Sequence, residues 1–181
     1  MVLIRNVEAL VRTLAHSEPV LGPEVYDLLR FDNSERKNAV VMLLTSDDSD
    51  YPRVALLSPY QILAVDNKHL FINVYRESRS NKNLQEKKKG TLVVITPPAI
   101  RYVRVADGPS QRNVEASDTE QLYEFIVEEE RSDFSPEAPI ITSLLFDETR
   151  IKERYEKSFG LMLQAALTRS NQEKAMEKGV N

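Results

Sequence analysis

Between Arg76 and Lys89 six basic residues stand against two acidic ones, a local net charge of +4 in a chain whose overall formal charge is −4. The chemistry this stretch offers is anion binding. It is concentrated at Ser78, Arg79 and Ser80, where an apolar strand pattern turns into a helical one. At a helix start, unsatisfied backbone N–H groups and the positive end of the helix dipole converge on a negative group. An arginine adds a bidentate, charge-assisted contact, and serine hydroxyls donate to the remaining oxygens of a phosphate. Lys87, Lys88 and Lys89 fall at the opposite end of that helix, where cations offset the C-terminal dipole without any ligand. Most charge runs of this length are solvated helix faces. Nucleic acid is the third reading of the run. Tyr75 is its single aromatic neighbour and the global charge opposes a polyanion, so no nucleic-acid partner is expected.

The other residues that do chemistry are scarce. The chain has 181 residues, with no Cys, no Trp, two His and five Gly. Without cysteine there is no disulfide, thiol nucleophile, iron–sulfur cluster or Cys-based zinc site. His16 and His69 are 53 positions apart and form no metal pair; each reads as a surface or edge residue. The glycines are too scattered for a dinucleotide or phosphate loop. Glu128, Glu129 and Glu130 are consecutive, and on a helix they splay apart rather than pair as acid and base. No side chain is a convincing general acid or base, so redox or group-transfer chemistry would come from a bound cofactor.

The elements that must position the Ser-Arg-Ser turn follow from periodicity. Leu3, Val7, Leu10, Val11 and Leu14 predict a short amphipathic helix, and Pro23 opens another through Leu29. Strands are expected at 39–45, 53–58, 69–75, 91–96 and 100–106, with Pro59 interrupting the ladder before 61–65. A helix capped by Ser78 or Ser80 and ended by Gly90 lies between the third and fourth of these, with Leu84 inward. Ser117-Asp-Thr-Glu120 reads as a capping box for a helix with Leu122, Phe125 and Ile126 inward. That helix sits in a stretch from Glu115 to Glu137 of local net charge −8. Ile140–Phe146 is expected as one more strand. Asp147 would cap a final helix with Ile151, Tyr155, Phe159, Met162, Leu163 and Ala166 on its apolar face. Hairpin-length connections favour an antiparallel meander or barrel over a doubly wound sheet. One domain is expected over 1–170: a helical segment at 1–30, a barrel at about 39–146, a helix at about 147–169 and a frayed tail at 171–181. No signal or spanning segment is recognisable, so a cytoplasmic protein without a membrane partner is expected.

The segment Leu70-Phe-Ile-Asn-Val-Tyr-Arg-Glu-Ser-Arg-Ser-Asn-Lys-Asn-Leu84, followed by Gly90-Thr-Leu-Val-Val-Ile95, resembles the FMN-binding split barrel of the pyridoxamine 5′-phosphate oxidase-like superfamily. There a strand leads into a Ser-Arg-(Lys or Ser/Thr)-x-x-x-Leu helix start that holds the flavin phosphate. Tyr51-Pro-Arg-Val-Ala-Leu-Leu-Ser58 resembles the strand whose backbone runs along the isoalloxazine ring. The resemblance covers roughly Ala39 to Ala106. It implies a mainly β, antiparallel, Greek-key-like split barrel with flanking helices, a homodimer, and FMN at the dimer interface. Residue by residue, it implies that Arg79, Ser80 and Ser78 bind the phosphate and that Arg53 approaches the phosphate or ribityl chain. Val54, Ala55 and Leu56 would line the ring edge, while Ser58, Asn73 and Val74 match cofactor-facing strand positions. Asn83, one turn into the helix, is added on reach alone. The oxidase has lysines where this chain has Ser58 and Ser80, and a C-terminal Trp-bearing segment that this chain lacks. Pyridoxamine phosphate is thereby disfavoured as substrate. The expected function is an FMN-dependent oxidoreductase of an unidentified small molecule. The alternative is a non-catalytic flavin- or haem-binding module of the same fold, or a cleft that has lost its ligand.

Overall fold

The computed structural model describes residues 21–30, 38–108, 114–115, 119–147, 149–150, 156 and 159–168. The first predicted helix, His16 and the 171–181 tail lie outside the described residues. Helix α1 (Pro23–Leu29) precedes strands β1 (Val41–Ser46), β2 (Pro52–Leu57), β3 (Ile62–Ala64) and β4 (His69–Tyr75). Helix α2 (Arg79–Lys87) then leads to β5 (Lys89–Thr96), β6 (Ala99–Asp107), β7 (Val114–Glu115) and β8 (Glu120–Asp133). Residues 159–168 form the last helix described, α3.

One antiparallel sheet runs in the order β2-β1-β5-β6-β8-β4-β3, with β7 added against β8. Three tight hairpins, β1–β2, β3–β4 and β5–β6, are stitched together by crossovers, so the order is not a simple meander. The sheet curls. Inward residues of its two edge strands, Leu57 on β2 and Ile62 and Ala64 on β3, join one core cluster with Val41, Leu43, Leu70, Ile72, Leu92, Val103, Tyr123 and Phe125. Val25 and Leu29 of α1 and Leu84 of α2 fill the same interior. This is the split-barrel class expected from the sequence.

The 122–126 region is strand, not helix. Leu122, Phe125 and Ile126 fit a helical period, but Tyr123, Phe125 and Val127 fit a strand period equally well and point into the core. The tertiary context decides. The first half of β8 pairs with β4, and its second half pairs with β6 across a bulge opposite Arg104/Val105. Its β-branched and aromatic content was the available signal. Glu120 does not close a capping box; it is the first residue of the strand and accepts a hydrogen bond from Asn73. The glutamates therefore alternate across a strand instead of splaying round a helix. Glu130 accepts from Gly22 N at 2.7 Å, whereas Glu129 pairs with Arg104 at 2.9 Å.

Two smaller corrections concern ends. Helix α2 stops at Lys88, which takes the left-handed conformation with φ 55°, while Gly90 lies inside β5. A Cβ at Gly90 would crowd β1, coming within 3.1 Å of Leu43 Cδ1 and 3.2 Å of Leu44 O. Residues 140–146 form no strand beyond a single bridge, Ala39 to Leu145. The segment is tied down by Val40 N to Leu144 O at 2.9 Å and Ile140 N to Pro98 O at 3.2 Å, and it leaves Ile141, Leu144 and Leu145 exposed.

Candidate functional site

Strand β4 delivers the chain into the Ser-Arg-Ser turn. Ser78 caps α2 by accepting from Asn81 N at 3.1 Å, and its hydroxyl donates to Tyr75 O at 2.7 Å. Its side chain is thus occupied in building the turn. Lys82 N donates to Ser78 O at 3.2 Å, whereas the amides of Arg79 and Ser80 donate to no described backbone carbonyl outside the helix. The Ser80 side chain is buried and lines a small cleft of ≈ 80 Å³ together with Ala55, Leu56, Leu57, Gln61, Val74, Tyr75 and Ser78. Arg79 is exposed on the first turn and forms no ion pair with a described residue. The structure therefore brings Ala55, Leu56, Val74, Ser78 and Ser80 to one cleft, with Arg79 next to them in the chain.

The remaining expected residues sit around that cleft or away from it. Val54 is 58% exposed and Leu56 54% exposed on the edge strand β2. Arg53 lies toward the β1–β2 hairpin and donates through Nε to Asp47 Oδ2 at 2.9 Å. That hydrogen bond is the main reason the Asp47 carboxyl is held below its ordinary pKa. Ser58 follows Leu57 into the interior; its amide donates to Gln61 Oε1 at 3.2 Å, and its buried hydroxyl has no hydrogen-bond partner among the described residues. The Asn73 side chain turns away from Val74, donates from Nδ2 to Glu120 Oε2 at 2.9 Å and leaves Oδ1 buried with no partner among the described residues. Asn83 Nδ2 donates to Thr45 Oγ1 at 2.9 Å, fastening α2 to β1.

Sequence reasoning passed over the residues behind the turn. Asn81, buried, donates from Nδ2 to Arg76 O at 2.6 Å and accepts at Oδ1 from the Tyr123 hydroxyl. Burial, with the nearby Asp107 charge, pushes the Tyr123 phenol up to about 12. A buried amide at the third position of a serine-capped helix was the legible hint; its partner, 42 positions away, was not.

Other concavities offer less. A cleft of ≈ 400 Å³ at the far ends of β1, β5 and β6 carries both signs of charge, Lys89 and Arg104 beside Asp50 and Glu128, and Arg104 is already held by Glu129. His69 Nδ1 lies 2.9 Å from both oxygens of Asp66. Burial raises the Asp66 pKa, but the His69 side-chain hydrogen bond and the Lys68 and His69 amides outweigh it, so the carboxyl ends below its ordinary value. Among the described residues no group of acids and histidines is placed to hold a metal ion, and no helix is long and apolar enough to cross a membrane.

No protein-family model matches the chain, and no curated protein matches it. Solved structures do. An FMN-binding protein from Syntrophomonas wolfei is 14% identical, with 72% of this chain and 93% of that one covered and a TM-score of 0.44. A candidate pyridoxamine 5′-phosphate oxidase from Lactobacillus delbrueckii is 20% identical, with 62% and 93% covered and a TM-score of 0.47. HupZ from Group A Streptococcus is 12% identical, with 67% and 99% covered and a TM-score of 0.48. These likenesses are of fold and leave the ligand open.

Proposed function

We propose that the chain is an FMN-binding flavoprotein that works as a homodimer and serves as an oxidoreductase for a small molecule. The observation that carries this reading is the meeting, in one cleft, of Ala55 and Leu56 on the edge strand with Ser78 and Ser80 at the start of α2. Two sequence segments identified separately, one for a flavin ring and one for its phosphate, become neighbours in the fold. The residues fit the group: the Arg79 and Ser80 amides and the Arg79 guanidinium supply anion donors, and β2 supplies an apolar edge. The buried Ser58 hydroxyl, without a partner among the described residues, is a spare donor directly after that edge.

The site is incomplete in one chain, which supports the dimer. Small-molecule sites enclose roughly 300–1,000 Å³, whereas this cleft encloses ≈ 80 Å³. The exposed Val54 and Leu56 beside it are the wall that a second copy would cover. In the assembled site the flavin supplies hydride or electron transfer. The protein anchors the phosphate, excludes water from the β2 edge and holds the ring.

A second reading, a flavin carrier without turnover, draws on the scarcity of proton-transfer groups at the cleft. Glu120 is committed to Asn73 and His69 to Asp66. A haem carrier is the weaker form of this alternative, because His69 begins β4 and does not line the cleft at the opposite end of that strand. Purified protein should be yellow, release FMN on denaturation, and melt at a higher temperature when FMN is added. Colourless protein that FMN does not stabilise would overturn the proposal. Flavin that is bound but never reduced across a panel of nicotinamide and small-molecule donors would select the carrier reading.

A further inference from the structure

We infer that Tyr123 and Asn81 are positioning residues that hold the α2 start in a phosphate-ready shape before any ligand arrives. The inference rests on the flavin-phosphate reading of the same cleft and extends it to residues outside the cleft. Asn81 is buried, and all three of its polar groups at the turn are used. Its amide N donates to Ser78 Oγ at 3.1 Å, its Nδ2 to Arg76 O at 2.6 Å, and its Oδ1 accepts from Tyr123. Ser78 in turn donates to Tyr75 O at 2.7 Å.

The result is a closed chain of bonds. It runs from the end of β4, through the capping serine and Asn81, to a tyrosine rooted in β8. Tyr123 is fixed from its other side, since its ring stacks on Phe125 at 5.6 Å between centroids and belongs to the main core. Arg76 is pinned to the start of β8 and the residue before it, through Nε to Glu120 O at 3.1 Å and its amide to Thr119 O at 3.0 Å.

The consequence for binding is preorganisation. Asn81 caps the Arg76 carbonyl and Ser78 caps the Asn81 amide, so the first-turn amides of Arg79 and Ser80 are the ones left for an anion. An anion then binds without ordering the loop, which removes a cost that a flexible turn would carry. Tyr123 is not among the residues lining the cleft and reaches the turn through Asn81.

The test compares the full chain with Tyr123→Phe and with Val103→Ala, a core truncation on β6. Amide hydrogen exchange is measured without ligand, and each protein is then titrated with FMN and with riboflavin, which lacks the phosphate. Tyr123→Phe is expected to speed exchange at Ser80 through Asn83 and to cut the preference for FMN over riboflavin about tenfold, the worth of roughly one hydrogen bond. Val103→Ala, which also loses stability, is expected to keep the preference. Unchanged exchange at those amides, or equal weakening for both flavins in Tyr123→Phe, overturns the positioning role. Wild-type protein that prefers FMN beside a Tyr123→Phe protein that prefers it just as strongly overturns this inference alone. Wild-type protein with no preference for FMN overturns the phosphate reading and the inference with it.

Discussion

The outer surface of the sheet is treated in two ways. On the β3–β4–β8 side, Leu63, Phe71 and Leu122 point away from the barrel interior and are covered by α3, whose Met162 is fully buried among them. On the β2–β1 side, Val54 and Leu56 occupy the corresponding outward positions and remain more than half exposed. The residue types are alike; the difference is that, among the described residues, a helix covers the first of these faces and none covers the second. The covered face is a second core and contributes to stability. The open face adjoins the cleft at the start of α2; on the proposed reading, a second copy that covered it would complete the flavin site.

The largest expected effect tests the covered side. Phe71→Ala should destabilise the protein by about 3–5 kcal/mol, as for other large-to-small core truncations, read from the denaturant midpoint. A loss within surface-substitution range would mean that α3 does not form a true core there. Next comes the inner face. Gly90→Ala should cost about 1–3 kcal/mol by overpacking, because the new methyl meets Leu43 and the Leu44 carbonyl; a neutral result would show slack between β1 and β5.

A pH experiment separates turn chemistry from both faces. The Asp66 carboxyl is held below its unfolded value of 3.8. Its contribution is therefore present above that pH and is lost as the pH falls through the lower folded value. Wild-type stability should drop on acidification below about pH 4, and Asp66→Asn should flatten that part of the profile; an unchanged acid limb would contradict the assignment. The smallest change in stability is expected on the open side. Leu56→Lys should alter unfolding of the isolated chain by no more than about 0.5 kcal/mol, while shifting sedimentation from dimer to monomer. An unchanged sedimentation profile would break the comparison, since the open face would then not be the surface a second copy covers.

Much of this arrangement was legible in the sequence. The switch from the apolar Leu70–Tyr75 run to a serine-capped helix is local, and local signals located the turn and its capping residue, Ser78. The β1–β2 and β5–β6 hairpins were legible for the same reason. Three things were not. Strand β8 carries apolar residues on both faces because α3 covers one and the barrel interior the other, and a doubly buried strand loses the alternation that identifies it. The exposure of Val54 and Leu56 depends on what covers them, which residue type does not encode. The Tyr123–Asn81 bond spans 42 positions, beyond any window that reads periodicity. Asn83 illustrates the same limit: its place on the helix followed from the pattern, but its bond to Thr45 depends on how α2 lies against β1.

The central claim is that the α2 start binds the phosphate of FMN, and a flavin titration of wild-type protein against Arg79→Ala tests it most directly. Wild-type protein should quench flavin fluorescence saturably. Arg79→Ala should bind FMN at least about tenfold more weakly, the loss expected for one charge-assisted contact, with its melting temperature without ligand unchanged. Equal FMN affinity in the two proteins, or no binding by either, would contradict the account.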